Sequence, residues 1–512
     1  MNDHLAPSAP AASRYAAAVA AVLAGGGLAA VVLAASGLPW WSVLAGAGTL
    51  ALFIACLASP FFGLCATAFC LILASPNIYT LVVNTLQLHL YPYVLPLVFT
   101  FLGMLVRAGQ GRLSLRPRSA FLPVLLLVFV AEAASLLWTP HTAWGLANIA
   151  RLTTNLLLYW TVMVLVDTPR RLDILFKTLF ASAVMTAAGV LGALEWEYVL
   201  HVPLDRSLRL VFEIYFYTTR AGGIESWNQS AGFLSVASII AAGYAVLART
   251  RARRAGWGLG AMFFFCMMLL PASRGALLGF CGAAVLLILA LPATRRLFLR
   301  KTTLFVVMVI VGMLVTTPGY IDRMLVGFGY TGELLFSKKK SSSSSDSDAT
   351  GISTRFKIWR EGFKRVGESG GTILGGLGTG GFMYRIKVFE VHNVYLAFYY
   401  DMGLAGIFLL FFLGFILIRR SFPIAMAYHA RLARPPTAPD PAGPASADFV
   451  LVMFFAVLTA FTAEVAIHGL VDYDLTSFVS RYAFFYLALY DVVLGLAEAG
   501  PAVPLDAGAA KA

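Results

Sequence analysis

The chain has 512 residues, 59% of them hydrophobic and only 12% charged, with a formal net charge of +13. A soluble domain carries roughly 25% charged residues, so this composition excludes a water-soluble fold for most of the chain and points to lipid as its main solvent. The basic excess is split into short Arg-rich stretches between apolar runs, which leaves no soluble basic face of the kind nucleic-acid binding needs.

In chain order, residues 1–14 are polar and Ala/Pro-rich, and are expected to be a disordered cytoplasmic N-terminus. Runs close to the ~20 residues that cross the hydrocarbon follow. They lie roughly at 15–35, 41–58, 61–76, 88–106, 120–138, 144–167, 172–194, 228–248, 257–271, 275–292, 302–318, 393–418, 447–468 and 475–497. The first run lacks a cleavage site and reads as a retained helix. The second and third are short and split by Pro60, so the expectation is about 12–14 spans in an all-α polytopic membrane protein. Cys56, Cys65, Cys70, Cys266 and Cys281 all fall in apolar runs, without metal spacing, and read as small buried hydrophobes.

Lys and Arg concentrate in cytoplasmic loops. Arg107, Arg112, Arg116 and Arg118 follow the fourth run, Arg170 and Arg171 the sixth, and Arg249, Arg251, Arg253 and Arg254 the eighth. Arg295, Arg296, Arg300 and Lys301 follow the tenth, and Arg419, Arg420, Arg431 and Arg434 the twelfth. Every one of these loops follows an even-numbered run, which places both termini in the cytoplasm. The expected organisation is then a helical part at 15–194, an outer loop at 195–227, central helices at 228–318, a large outer loop at 319–391, C-terminal helices at 392–497 and a cytoplasmic tail at 498–512. Within the large loop, Lys338 to Lys340 and the serines 341–345 read as a solvated linker. Residues 354–366 have helical spacing with Phe356, Trp359 and Phe363 on one face, an amphipathic surface helix. A Gly-rich turn at 375–381 follows.

Polar residues gather on the outer side. His392 stands at the outer start of the twelfth run, where a neutral imidazole can take a proton from a sugar hydroxyl. Arg220, Arg274 and Arg355 lie near outer span ends; their guanidinium forks fit either lipid headgroups or a diphosphate. Glu132 and Arg151 sit at similar depth in the fifth and sixth runs and are expected to pair, as a helix staple or as part of the site. Glu464 and His468 are spaced i, i+4 near the outer end of the thirteenth. Asp346-Ser347-Asp348 and Asp472-Tyr473-Asp474 fit the D-x-D spacing of divalent-ion sites in glycosyltransferases; the first is compositional, and the expectation is a reaction needing neither metal nor cofactor.

Four local stretches resemble the O-antigen ligase and polymerase superfamily of bacterial envelope enzymes. They are Arg220-Ala221-Gly222-Gly223 with Asn228, then Ser273-Arg274-Gly275, then Arg355 and Trp359 before Gly376-Leu377-Gly378-Thr379-Gly380, and finally His392-Asn393-Val394-Tyr395-Leu396 running to Asp401 and Gly406. The acidic position of that last helix, often Glu in relatives, is Asp401 here. The resemblance covers 219–406 and two further runs. It implies a GT-C-like fold in the bacterial inner membrane and a periplasmic active site. The implied donor is an undecaprenyl-diphosphate-linked glycan, the transfer inverts, and the acceptor is a lipid A–core or glycan hydroxyl. Arg220 and Arg355, with Arg274, would bind the diphosphate and His392 would activate the acceptor; Asn393, Tyr395, Asn228, Trp359, Glu132, Arg151 and Asp472 would support them. Ligase, polymerase and protein O-oligosaccharyltransferase stay open within the family. A transporter or flippase is the alternative of another class, with Glu132 and Arg151 as coupling residues.

Overall fold

The computed structural model describes residues 40–71, 80–83, 86–89, 92–194, 225–270, 273–290, 352–386, 391, 393–433, 444–470 and 481–499. The expected N-terminus 1–14, the runs at 15–35 and 302–318, the serine linker and the tail after residue 499 lie outside them. The chain divides into two compact units, one of residues 1–67 and 93–116, the other of 68–92 and 117–512.

In the first unit, α1 (Trp40–Ala58) packs on α3 (Val94–Gly109). Their approach is close because Gly103 has no side chain: a Cβ there would stand 2.6 Å from the Cys56 carbonyl oxygen. Phe53 and Phe99 meet edge-to-face at 4.9 Å, and the Arg107 guanidinium donates to the Ala58 carbonyl, one of the groups that a helix end leaves unpaired. Pro60 separates α1 from α2 (Pro60–Cys70), since it lacks the N–H that a continuing helix needs.

The second unit opens with a hairpin, β1 (Thr80–Val83) antiparallel to β2 (Leu86–His89), with Thr80 opposite His89. This corrects the reading of a helix from residue 88. Leu86-Gln87-Leu88-His89 alternates with period two, and Pro92 delays the helix, which starts at Val94. Then come α4 (Leu122–Ser135), α5 (Thr142–Leu165), α6 (Pro169–Leu194), α7 (Glu225–Leu247), α8 (Arg251–Leu269) and α9 (Arg274–Ala290). Helices α7 and α8 form a hairpin on α6. Tyr244 stacks on Trp257 at 4.5 Å and its hydroxyl donates to Asp173 at 2.6 Å.

After residue 351 the amphipathic segment is α10 (Ile352–Val366), followed by the short α11 (Gly370–Gly375) and α12 (Gly381–Ile386). Phe356 and Phe363 are 60% and 50% exposed, whereas Ile358 and Val366 are buried. Helix α10 thus docks on the protein through Ile358 and Val366, while Phe356 and Phe363 of the expected apolar face stay exposed and Trp359 is partly buried. Gly362 allows this close approach, because a Cβ there would stand 2.5 Å from the Tyr400 ring of the next long helix.

That helix, α13 (Val394–Ala433), breaks at Gly403, where φ is +64°. The chain ends in α14 (Pro444–Phe461), a π-helical turn at Thr462–Ile467, a 3-10 turn at His468–Leu470, and α15 (Arg481–Ala499). Among the described residues five helices are long and apolar enough to cross a membrane: Pro169–Val190, Gln229–Leu247, Val394–Tyr428, Asp448–Ile467 and Arg481–Ala499. The architecture is that of an α-helical membrane protein. The cysteines are free thiols; Cys56 is buried, but Cys281 is exposed on α9, so it is not the buried hydrophobe expected.

Candidate functional site

Two of the polar constellations in the second unit are joined by α13. The first is the Gly-rich turn. A break at Gly403 strips the preceding carbonyls of α13 of their helical partners. The turn supplies replacements: Leu377 N donates to Tyr400 O at 2.7 Å and Gly378 N to Asp401 O at 3.1 Å. Gly376, Gly378 and Gly380 all have positive φ, +73°, +82° and +71°, which only glycine adopts without strain. Thr379 then reaches between α4 and α5. Its N–H donates to Ser135 Oγ at 2.9 Å, its carbonyl accepts from Thr139 Oγ1 at 2.8 Å, and its hydroxyl accepts from Asn148 Nδ2 at 3.4 Å.

Glu132 lies beneath this turn, 2% exposed. Thr379 and Asp401 are its polar neighbours, and neither of its oxygens closes a hydrogen bond among the described residues. Arg151 makes no ion pair among the described residues, so the expected Glu132–Arg151 staple is absent there. Helix depth set that expectation; rotation about the helix axes, invisible to depth, turns the carboxylate toward the Gly-rich turn instead. Glu132→Met is therefore expected to hold or raise the thermal midpoint, because a desolvated acid without partners costs about 1–3 kcal/mol. A staple would give a fall, read by the same unfolding curve in detergent.

The second constellation gathers on Val391, Asn393 and the start of α13. His392 itself lies outside the described residues, as do Arg220 and Asp472. Its neighbours are held tightly. The Val391 carbonyl accepts from Trp359 Nε1 at 2.7 Å, and the Trp359 carbonyl in turn accepts from Tyr400 Oη at 2.7 Å. Asn393, 7% exposed, caps α13 by accepting Leu396 N–H at 3.0 Å. Tyr395 Oη donates to the Ala466 carbonyl at 2.9 Å, which ties the start of α13 to the π-helical turn.

That turn carries Glu464 and His468, 7% and 4% exposed, joined Oε2 to Nδ1 at 2.9 Å. Glycines on two other helices clear space for it. A Cβ at Gly232 of α7 would collide with the Glu464 carboxylate, and one at Gly279 of α9 would stand 2.7 Å from the Ala463 carbonyl oxygen. Helix α9 starts at Arg274, behind the buried Ser273, whose hydroxyl accepts Ala276 N–H at 3.3 Å. Helix α7 carries Asn228 in its first turn, and α10 carries Arg355 in its first turn. For Asn228, Arg274 and Arg355 the backbone alone is described. Trp359, Asn393 and Tyr395 thus gather at the start of α13, Gly232 of α7 and Gly279 of α9 press on the π-helical turn, and Glu132 belongs to the Gly-rich turn.

Arg481 was missed from the sequence. It opens α15, is 6% exposed, and stacks 4.9 Å above the Tyr482 ring while donating to Tyr482 Oη at 3.2 Å. A cation inside the apolar run at 475–497 was the signal available. The described residues contain no group of three or more His, Cys, Asp or Glu placed to hold a metal ion.

These features define an α-helical membrane protein with a buried polar centre at the ends of several helices. No protein-family model matches the chain, and no curated protein matches it.

Proposed function

We propose that the chain is a glycosyltransferase of the O-antigen ligase type, with a GT-C-like fold of about 12–14 spans. It acts in the bacterial inner membrane, with both termini cytoplasmic and the site in the periplasm. The donor is a glycan on undecaprenyl diphosphate and the acceptor a hydroxyl of lipid A–core. The acceptor oxygen attacks the anomeric carbon, the bond from that carbon to the diphosphate breaks with inversion, and the diphosphate lipid leaves with the electron pair. Arg220, Arg274 and Arg355 stabilise the charge that builds on the leaving oxygens, and His392 activates the acceptor by taking the proton of its hydroxyl. A lipid donor needs its tail in the bilayer and its diphosphate at the surface, which helix-end arginines provide.

One observation carries this reading. The residues on either side of 392 are held in place: the Val391 carbonyl accepts from Trp359 Nε1 at 2.7 Å, and Tyr395 Oη donates to the Ala466 carbonyl at 2.9 Å. Catalytic groups need such bracing to hold their geometry.

The test is a bacterial strain lacking the gene, complemented at matched protein levels and scored for surface polysaccharide. Wild type is expected to restore the glycan, while His392→Ala, Arg220→Ala and Arg355→Ala each lose about 10²–10³ in transfer rate. Full complementation by all three variants sinks the transferase reading and moves transport forward. In the strain without the gene, lipid-linked polymer beside uncapped core supports ligase; single repeat units on core indicate polymerase.

A further inference from the structure

The second unit holds a polar cavity that the reading above does not use, where the start of α4 and the end of α15 meet α13. Its volume is about 410 Å³, and small-molecule sites hold roughly 300–1,000 Å³. Arg118 and Ser119 line it from the segment before α4, Arg420 from α13, and Asp491, Gly495 and Glu498 from α15. The helical spacing of those last three puts them on one stripe of α15. Gly495 keeps that stripe open between its two acids, since a Cβ there would have no atom within 4 Å. Helices α13 and α15 are both long and apolar enough to cross a membrane. Arg420 follows the apolar stretch of α13, and Glu498 stands next to the last residue of α15, so both belong at headgroup depth.

The charges around this cavity are balanced but unequally committed. Arg420 donates to Glu498 Oε1 at 2.9 Å, which leaves Glu498 Oε2 to accept from a ligand. Asp491 accepts from Tyr159 Oη and from Ala120 N–H, and each of its oxygens has a second lone pair. Arg118 makes no hydrogen bond or ion pair among the described residues. A ligand with negative charge alone would meet both carboxylates, and one with positive charge alone would meet both guanidinium groups. A phosphate and an ammonium a few bonds apart meet each with its opposite, and guanidinium forks match phosphate oxygens.

We propose that this cavity binds a phosphoethanolamine group, as the headgroup of a phospholipid whose acyl chains lie in the bilayer. Arg118 takes the phosphate oxygens, and the ammonium donates to the acidic stripe of α15. Ser119, bonded to Tyr159 and Leu122, fixes the segment that carries Arg118. A phosphocholine headgroup has the same charges but no N–H to donate, and a phosphoglycerol headgroup has no cation for the carboxylates. The site therefore selects among headgroups, which a merely basic membrane edge does not. It stands independently of the transferase reading.

The experiment uses the full chain, delipidated in detergent, and titrates it with phosphatidylethanolamine, phosphatidylcholine and phosphatidylglycerol of identical acyl chains. Native mass spectrometry counts the bound lipid, and the thermal midpoint reports its affinity, because a ligand of the folded state raises that midpoint. Phosphatidylethanolamine is expected to bind at least about tenfold more tightly than the other two, the size of one hydrogen bond to a charged group. Arg118→Ala and Gly495→Leu are each expected to weaken it about tenfold or more, the first by removing the phosphate partner and the second by filling the cavity. Arg118 has no partner to lose and Gly495 faces open space, so both variants keep the midpoint of the lipid-free protein. Equal binding of the three lipids, or wild-type binding by both variants, overturns the proposal. Soluble phosphoethanolamine separates the two sources of the group. Displacement of the lipid only at far higher concentration, or not at all, supports the bilayer source; displacement at equal concentration overturns the lipid and assigns the cavity to a free phosphoethanolamine.

Discussion

Gly376→Ala is expected to be among the most damaging single-methyl additions in this chain. Two costs add. At φ of +73° an alanine pays for the left-handed conformation, about 1–2 kcal/mol. Its methyl would also stand 2.5 Å from the Met402 nitrogen and overlap the Asp401 carbonyl, so backbone must move, at about 1–3 kcal/mol more. Backbone cannot give way as a flexible side chain does, because here it is the break in α13 that the turn exists to cap. The sum is a large share of a typical stability of about 5–15 kcal/mol. A thermal unfolding curve of the purified variant should therefore show a fall of several degrees or an unfolded protein. Gly256→Ala in α8 is the control. No atom lies within 4 Å of a Cβ there, and alanine favours the helix by about 1 kcal/mol. If both variants match wild type, the Gly-rich turn does not dock on α13 as described.

The second large effect is expected at Asp491 of α15, which is 2% exposed and far in sequence from its partners. Tyr159 Oη of α5 donates to it at 2.5 Å, and Ala120 N–H, just before α4, at 3.4 Å. Ser119 completes the cluster, its hydroxyl 2.7 Å from Tyr159 Oη and accepting Leu122 N–H at 2.8 Å at the start of α4. One carboxylate thus pins three helices. Asp491→Ala removes it and leaves the buried Tyr159 hydroxyl with Ser119 alone, and hydrogen bonds to a charged group are worth about 1.5–3 kcal/mol each. A loss of about 3 kcal/mol is expected, with a smaller loss for Tyr159→Phe, which removes one donor and leaves the carboxylate its other partners. Equal losses for the two variants would mean that Asp491 acts only through Tyr159.

Run length located the apolar part of each helix but not its charged start. Helix α6 begins at Pro169, before the run at 172–194, and α8 begins at Arg251, before the run at 257–271, because the basic residues read as loop continue the helix beyond the apolar stretch. The hairpin at residues 80–89 was read through because its apolar content resembles a span; only its period of two sets it apart. The Gly-rich turn was visible as a turn, but its purpose was not. Nothing near residue 376 announces that Gly403 will break α13 and leave two carbonyls in need of donors. Trp359 was read as part of an apolar face, yet its indole N–H is spent on the Val391 carbonyl. A long-range hydrogen bond of this kind leaves no trace in local spacing.

The sequence by itself determined that the chain lives in lipid, since so few charges and so many long apolar runs admit no other solvent. It also located the apolar part of most helices and singled out Glu464 and His468 as neighbours one turn apart, because these depend on local chemistry and helical pitch. Tertiary structure alone decided that Glu132 turns toward Thr379 rather than Arg151, that α10 docks through Ile358, Gly362 and Val366, and that glycines from two helices enclose the Glu464–His468 pair. Each depends on the rotation and approach of helices distant in sequence, which packing settles and which the order of residues along one helix does not encode.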